Sequence, residues 1–287
     1  MSIVVTATSG PLGSLVVQKL LDRGAAPADV VATARSTAKI ASLAEKGVTT
    51  AELDYSKPET IAAAISAGDV VVLISGSEVG QRVPQHQAVI DAAKTAGAAR
   101  IVYTSAPAAD DTTLVVAPEH KVTEELLHAS GVPFTILRNG WYTENYVPQV
   151  ALGREHGQLA GSAGDGRVSS ASRADYAEAA AVVALDDSYA GQTLELSGDY
   201  AWSFPELAEA ISGIVGREVT YVDVTPEQQL EILKGAGLDE GTAGFVVALD
   251  GNIRDGLLGH TPGDLARVIG RPTTPFAEGL AAAVAAQ

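Results

Sequence analysis

Through the first half of the chain, short apolar runs alternate with helix-length amphipathic stretches. The runs lie at Ile3–Thr6, Val30–Ala34, Val48–Leu53, Val70–Ser75, Arg100–Ser105 and Pro133–Leu137, and they are rich in β-branched residues. Several are apolar without alternation, as strands covered on both faces should be. Between them the spacing predicts helices near Gly13–Arg23, Thr37–Lys46, Pro58–Ser66, Pro84–Ala96 and Glu119–Ala129. Gly24, Gly47, Gly97 and Gly131 follow four of these, where a left-handed cap belongs. Ser56-Lys57-Pro58-Glu59 reads as a capping box opening the third. Strict alternation of strand and helix implies an α/β fold with a doubly wound parallel sheet.

Beyond Leu137 the pattern loosens. Gly-rich loops appear at Gly161–Gly166, followed by a helix near Asp175–Leu185 and a short strand at Thr193–Leu196. Ser203-Phe204-Pro205-Glu206, Thr225-Pro226-Glu227-Gln228 and Thr261-Pro262-Gly263-Asp264 carry start signals for three further helices. The expected division is a Rossmann-type core over residues 1–138. A smaller, mostly helical substrate lobe over 139–287 would pack on that core, with some segments returning to it. No linker of low complexity separates the halves, and one shared core is expected.

Composition narrows the class. Apolar residues make up 46% of the 287 and aromatics 5%. Such a chain can bury a core in which small side chains let helices sit close to a sheet. The 35 acidic residues against 19 basic give a formal charge of −16, which repels a phosphate backbone and argues against nucleic acid as a partner. Cysteine is absent, so disulfides, thiolate catalysis and cysteine-held metals are excluded. No apolar stretch approaches the roughly 18 residues that span a bilayer. The first ten residues read as a buried strand and not as a signal peptide, and a cytoplasmic protein is expected.

The first strand-to-helix turn, Ala7-Thr8-Ser9-Gly10-Pro11-Leu12-Gly13, carries the clearest local chemistry. A pyrophosphate needs close backbone and free amides at a helix N-terminus. Gly10 allows the approach, and Gly13 lets the helix pack on its strand. Ala7 stands where the G-x-x-G-x-x-G pattern has its first glycine, and a tight turn there is expected to keep its φ negative. The second strand ends in Ala34-Arg35-Ser36 without the carboxylate that binds a ribose hydroxyl. Arg35 can pair with a 2′-phosphate, helped by Ser36 and Lys39, which favours NADP(H). Asp54 and Tyr55 are expected beside the adenine, and Ser75, Gly76 and Ser77 beside the nicotinamide ribose.

Longer strings are more specific. Leu73 to Arg82 (LISGSEVGQR), Pro84-Gln85-His86 and Leu137 to Tyr146 (LRNGWYTENY) resemble the bacterial type 2 NAD(P)H:quinone oxidoreductases. These form part of the NmrA-like branch of atypical short-chain dehydrogenases. Further matches lie at Ala163–Gly166, Ser172–Tyr176, Leu196–Asp199 and Ile269–Thr274, so the similarity spans nearly the whole chain. The resemblance implies flavin-free reduction of a quinone by NADPH. Carried residue by residue, it implies cofactor contacts at Thr6, Ala7, Thr8, Ser9, Gly10, Pro11 and Leu12, at Arg35, and at Ser75, Gly76 and Ser77. Asn139, Gly140, Trp141, Tyr142, Thr143 and Glu144 complete that set, and Asn145 is linked to substrate. The expected partner is a small-molecule quinone or activated carbonyl; a homodimer is allowed.

Ordinary short-chain dehydrogenases use Tyr-x-x-x-Lys, the lysine lowering the tyrosine pKa for proton exchange with a carbonyl. No tyrosine here has lysine four places on. His120 and Glu124 share one face of the expected helix, with the geometry of that pair but not its chemistry. His120 is therefore either a proton donor or a structural group within its helix. Two ligands do not make a metal site. Trp141, Tyr142 and Tyr146 are candidates to stack on a flat quinone, with a core role equally open for Trp141. Asp110-Asp111 reads as the solvated tip of a substrate lid. A carbonyl or enone reductase and a non-catalytic NADP(H)-sensing regulator remain the alternatives.

Overall fold

A computed structural model describes residues 1–287. Six strands of the first half, β1 (Ile3–Val5), β2 (Val30–Ala34), β3 (Thr49–Glu52), β4 (Val70–Leu73), β5 (Arg100–Ser105) and β6 (Phe134–Asn139), form a parallel sheet with β9 (Thr193–Leu196). The order is β3-β2-β1-β4-β5-β6-β9. The chain winds outward from β1 to β3 and then crosses back to β4, so the switch point lies between β1 and β4.

Side chains alternate across this sheet and explain its runs without polar positions. Ile3, Val5, Val70 and Val72 face α1 (Pro11–Asp22), α7 (Arg173–Leu185) and α11 (Asp264–Ile269). Val4, Val71, Leu73 and Ile101 face α3 (Pro58–Ala64), α4 (Arg82–Ala96) and α5 (Pro118–Ser130). A short helix, α2 (Ala41–Glu45), follows a 3-10 turn after β2. Gly97 and Gly131 close α4 and α5 in the left-handed conformation.

Residues beyond 138 do two jobs. Helix α7, strand β9 and helix α11 complete the sheet layer. The rest holds a cluster of its own, 17 buried residues including Trp202, Phe204 and Tyr146. The two halves thus share the core on one face of the sheet, where Ile3, Val5 and Val70 pack with Tyr176, Leu194 and Leu265, and the lobe adds a second cluster. The lobe contains α6 (Val147–His156), α8 (Phe204–Val215), α9 (Pro226–Gly235), α10 (Glu240–Arg254) and α12 (Phe276–Ala285). It also contains two small sheets, β7 (Gln158–Gly161) with β11 (Thr220–Asp223) and β8 (Arg167–Val168) with β10 (Trp202–Ser203). These strands and α6, α10 and α12 escape the sequence reading. Capping boxes do open α8 and α9. None opens α3, whose N-cap is Lys57 with no side-chain bond; Ser56 instead closes an Asx turn on Asp54 Oδ1. Nor does Thr261 cap α11, which starts from Gly263 at φ +83°. No helix is long and apolar enough to cross a membrane.

Candidate functional site

The turn after β1 is fixed from below. Thr6 is fully buried, its Oγ1 donating to Val72 O and accepting from Ile74 N–H at 2.9 Å. The Tyr55 hydroxyl lies 2.6 Å from both Thr6 Oγ1 and Ile74 O, tying the third loop to the switch point. Thr8, also buried, gives its N–H and its hydroxyl to Thr33 O. Between them Ala7 sits at φ +52°, which corrects the expected negative φ. Its carbonyl accepts from Gly10 N–H at 2.9 Å. A Cβ on Gly13 would lie 2.6 Å from the same oxygen. The left-handed turn at residue 7 is thus the one that lets α1 start close to β1. Pro11 begins that helix with no donor to lose, and the amides of Leu12 and Gly13 have no carbonyl within it to pair with.

A cleft of about 430 Å³ opens above this turn and crosses the β1–β4 switch point. Ala7, Ser9, Gly10, Pro11 and Leu12 line one wall, Ser75, Gly76 and Ser77 the other, with Arg35, Asp54 and Tyr55 at one end and Tyr142 and Arg173 in the lining as well. Ser36 and Lys39 lie outside the lining. The cleft holds Arg35, Arg82 and Arg173 against Asp54 and Glu78, a cationic balance in a protein of charge −16. It fits a dinucleotide phosphate on three counts. Gly10 leaves room where a Cβ would stand 3.2 Å from Ala7 O, the first amides of α1 are free, and guanidinium groups line the walls.

The wall at β4 is held by buried groups. His86, fully buried, accepts the Gly76 N–H on Nε2 at 3.0 Å. Its proton is therefore on Nδ1, which donates to Thr123 Oγ1 at 3.0 Å. Burial, aided by the Arg82 charge, holds this imidazole down at about 4. Arg82 Nε donates to Gly76 O at 2.6 Å. From α5, the Glu119 carboxylate accepts the N–H groups of Gly80 and Arg82 and so caps α4 from a distance.

Of the string after β6, only Tyr142 lines the cleft. Asn139 and Thr143 are buried, Thr143 on Ser170 Oγ and Asn139 with its Oδ1 unpartnered. Gly140 faces a second cavity of about 330 Å³, with Glu195 and Ser197 from beyond β6. Trp141 packs on the lobe cluster. Glu144 accepts the Arg173 N–H at the start of α7. Asn145 Oδ1 accepts from Arg173 Nη2 at 3.0 Å, and the Arg173 guanidinium stands 5.0 Å from the centre of the Tyr142 ring. Burial raises the pKa of the Tyr142 hydroxyl, so at neutral pH it stays protonated and can donate a hydrogen bond.

Three expectations are corrected. His120 lies outside the cleft lining, buried, with Nδ1 2.7 Å from the Tyr103 hydroxyl. Burial holds it down at about 3, so it carries no spare proton at neutral pH. Glu124 does not raise it, being engaged by Ser105 at 2.5 Å and by two nitrogens of Arg138 at 3.0 and 2.6 Å. Tyr146 is buried against Trp202 and cannot stack on a substrate. Asp110 is exposed, as a solvated tip should be, but its carboxylate is not free, lying 2.7 Å from Arg138. The sequence reading missed Arg173, although a cation in the first turn of a helix, against its dipole, was a usable sign of a non-structural role.

An open parallel sheet with a glycine turn, free helix amides and a cation at the end of β2 defines a dinucleotide-binding α/β protein. A family profile described as NAD(P)H-binding matches residues 8–187, and the chain belongs to that family. It is 41% identical to quinone oxidoreductase 2 of Escherichia coli over 276 residues, 96% of each chain. It is 31% identical to an NAD(P)H azoreductase of Xenophilus azovorans over 277 residues, again 96% of each. Among solved structures it is similar to the NADPH complex of the E. coli NADPH-dependent quinone oxidoreductase, with a TM-score of 0.92, 40% identity and coverage of 98% and 99%. The Citrobacter sp. triphenylmethane reductase with NADP(H) matches with a TM-score of 0.92 at 32% identity, over 98% and 100% of the chains.

Proposed function

We propose that this chain is an oxidoreductase that reduces quinones by two electrons, with NADPH bound in the cleft and no flavin. The observation that carries the reading is the match of both lobes, not the nucleotide half alone, to quinone oxidoreductase 2 over 96% of each chain. When bound, NADPH supplies the hydride. The chain's own residues hold it: the Ser9–Leu12 turn at the pyrophosphate, Arg35 at the 2′-phosphate, Ser75–Ser77 and Tyr142 towards the reacting end. Thr6, Thr8, Asn139 and Thr143 act behind them by fixing the turns.

Arg173 fixes the Asn145 amide, whose Oδ1 it binds, and so leaves the Asn145 N–H groups to donate to a quinone oxygen. A quinone takes up a hydride to give a hydroquinone anion, and a proton from solvent completes it. That anion is stabilised by aromatisation, so hydrogen bonds and the Arg173 charge suffice where an alkoxide would require an acid. Electron-poor dyes form a second substrate class, favoured by the azoreductase and triphenylmethane reductase among the relatives. The reading takes the protein to be cytoplasmic and without nucleic-acid partners, the latter supported by its charge of −16. Loss of NADPH absorbance is followed with a benzoquinone, an azo dye, a triphenylmethane dye and a simple ketone. Turnover with the quinone and none with the ketone is expected; the reverse pattern overturns the reading.

A further inference from the structure

The end of β2 has no carboxylate of its own, yet the fold brings one there from another element. Glu78, in the turn between β4 and α4, places Oε1 3.4 Å from Arg35 Nη1 across the mouth of the cleft. Its other oxygen accepts from Gln85 Nε2 at 2.8 Å, and Gln85 is itself buried on α4. The turn that carries Glu78 is pinned on both sides, by His86 and Arg82 at Gly76 and by Glu119 at Gly80. The carboxylate is therefore aimed by fixed structure. The Arg35 side chain is 74% exposed and has no other ionic partner. The two groups are 43 residues apart in sequence.

We propose that Glu78 is a specificity-determining residue that occupies, on Arg35, the anion position a 2′-phosphate takes, and so weakens NADPH relative to NADH. This rests on the assignment of Arg35 to the 2′-phosphate. Two physical consequences follow from one placement. A phosphorylated ribose must displace the carboxylate from Arg35 and then sit as a dianion beside it. An unphosphorylated ribose instead meets an acceptor for its hydroxyl, the role that NAD-preferring sites give to an acid at the end of β2. Arg35 and Glu78 pull cofactor choice in opposite directions.

Dissociation constants for NADPH and NADH are measured directly, by nicotinamide fluorescence, on the wild type, Glu78→Gln, Arg35→Ala and the double variant. The fragments 2′,5′-ADP and 5′-AMP are titrated in parallel by calorimetry. An exposed pair at this separation is worth at most about 1 kcal/mol, so Glu78→Gln tightens NADPH and 2′,5′-ADP about three- to fivefold. NADH and 5′-AMP stay unchanged or weaken, and in the Arg35→Ala background Glu78→Gln tightens NADPH less than in the wild type, because only the repulsion and not the competition for Arg35 is left to remove. Glu78→Gln leaving NADPH unchanged, or tightening NADH as much, overturns the assignment of Glu78. Arg35→Ala binding NADPH as tightly as wild type overturns the assignment of Arg35, and the proposal with it. Both side chains are more than half exposed, at 74% and 52%, so the variants keep the fold.

Discussion

Replacing Ala7 by glycine tests the reading of the first turn from the least expected direction, because the substitution should stabilise the protein. Ala7 holds φ at +52°, where an L-residue with a Cβ loses about 1–2 kcal/mol. Its conformation is imposed by neighbours it cannot move: Gly10 N–H bonds its oxygen at 2.9 Å, and α1 passes so close that Gly13 has no space for a Cβ. Glycine relieves the strain but gives the unfolded chain more freedom, which offsets about 0.4–1 kcal/mol. The net gain is about 1 kcal/mol, equivalent to roughly 2 °C in Tm for a chain of this length. Gly13→Ala is the matched opposite. Its methyl would stand 2.6 and 2.9 Å from Ala7 O and C, both backbone atoms, and overpacking of that kind costs about 1–3 kcal/mol. Urea unfolding and thermal melting of both variants check this, together with NADPH titration, in which Ala7→Gly binds at least as well as wild type. A lowered midpoint for Ala7→Gly, or an unchanged one for Gly13→Ala, refutes the argument.

Three other outcomes follow from the same geometry. Burial lowers the folded pKa of His86 to about 4 and of His120 to about 3. Their stabilisation is thus whole above the unfolded value near 6.5, and it is lost as pH falls from there towards those values, on the order of 3 kcal/mol for each. Chemical unfolding between pH 7 and 4 should show this slope, and a His86→Gln variant should show a shallower one; equal slopes count against it. Arg138→Met leaves Glu124 buried without its partner, at a cost of about 3–5 kcal/mol that Arg138→Met with Glu124→Leu largely recovers, read by urea midpoint. Arg173→Leu lowers kcat for the quinone by about tenfold or more, with Arg173→Lys recovering part of it; an unchanged kcat excludes Arg173 from the reaction.

Much of the sheet is legible in the sequence because its strands are buried on both faces, and Val70–Leu73 reads as strand without knowledge of its neighbours. The errors have local physical causes. Strand β6 runs on to Asn139, past the expected end at Leu137, because Arg138 is buried among Glu124, Glu195 and Asp110. A charge in the pattern marks an end only when nothing neutralises it. The lobe strands are two to four residues long and find partners far away, Thr220 pairing with Gln158. No local period can announce such a pairing. The same divide runs through the site. The glycine turn and Arg35 are local signals and were readable. Glu78 on Arg35, Glu119 on the start of α4 and Arg173 on Asn145 are long-range contacts and were not.

The α5 residues that stand in for a tyrosine–lysine pair show why the chemistry must be of a restricted kind. His120 is turned to Tyr103 and kept neutral, and Glu124 is bound to Arg138 and Ser105. Both are buried, so neither can exchange a proton with a substrate in the cleft. What faces the cleft instead is positive charge and one weak acid: Arg173 beside the Tyr142 hydroxyl, whose pKa burial raises, and Arg82 at the foot of α4. A guanidinium stabilises an anion but does not protonate it. Substrates whose reduced form is already a stable anion can leave the cleft and take their proton from water. Hydride transfer to a simple ketone gives an alkoxide, a far less stable anion, and is uphill in a cleft without a strong acid. On this argument the width of the substrate range is set by the acidity of the product, and substituted quinones should be turned over faster as their hydroquinones become more acidic.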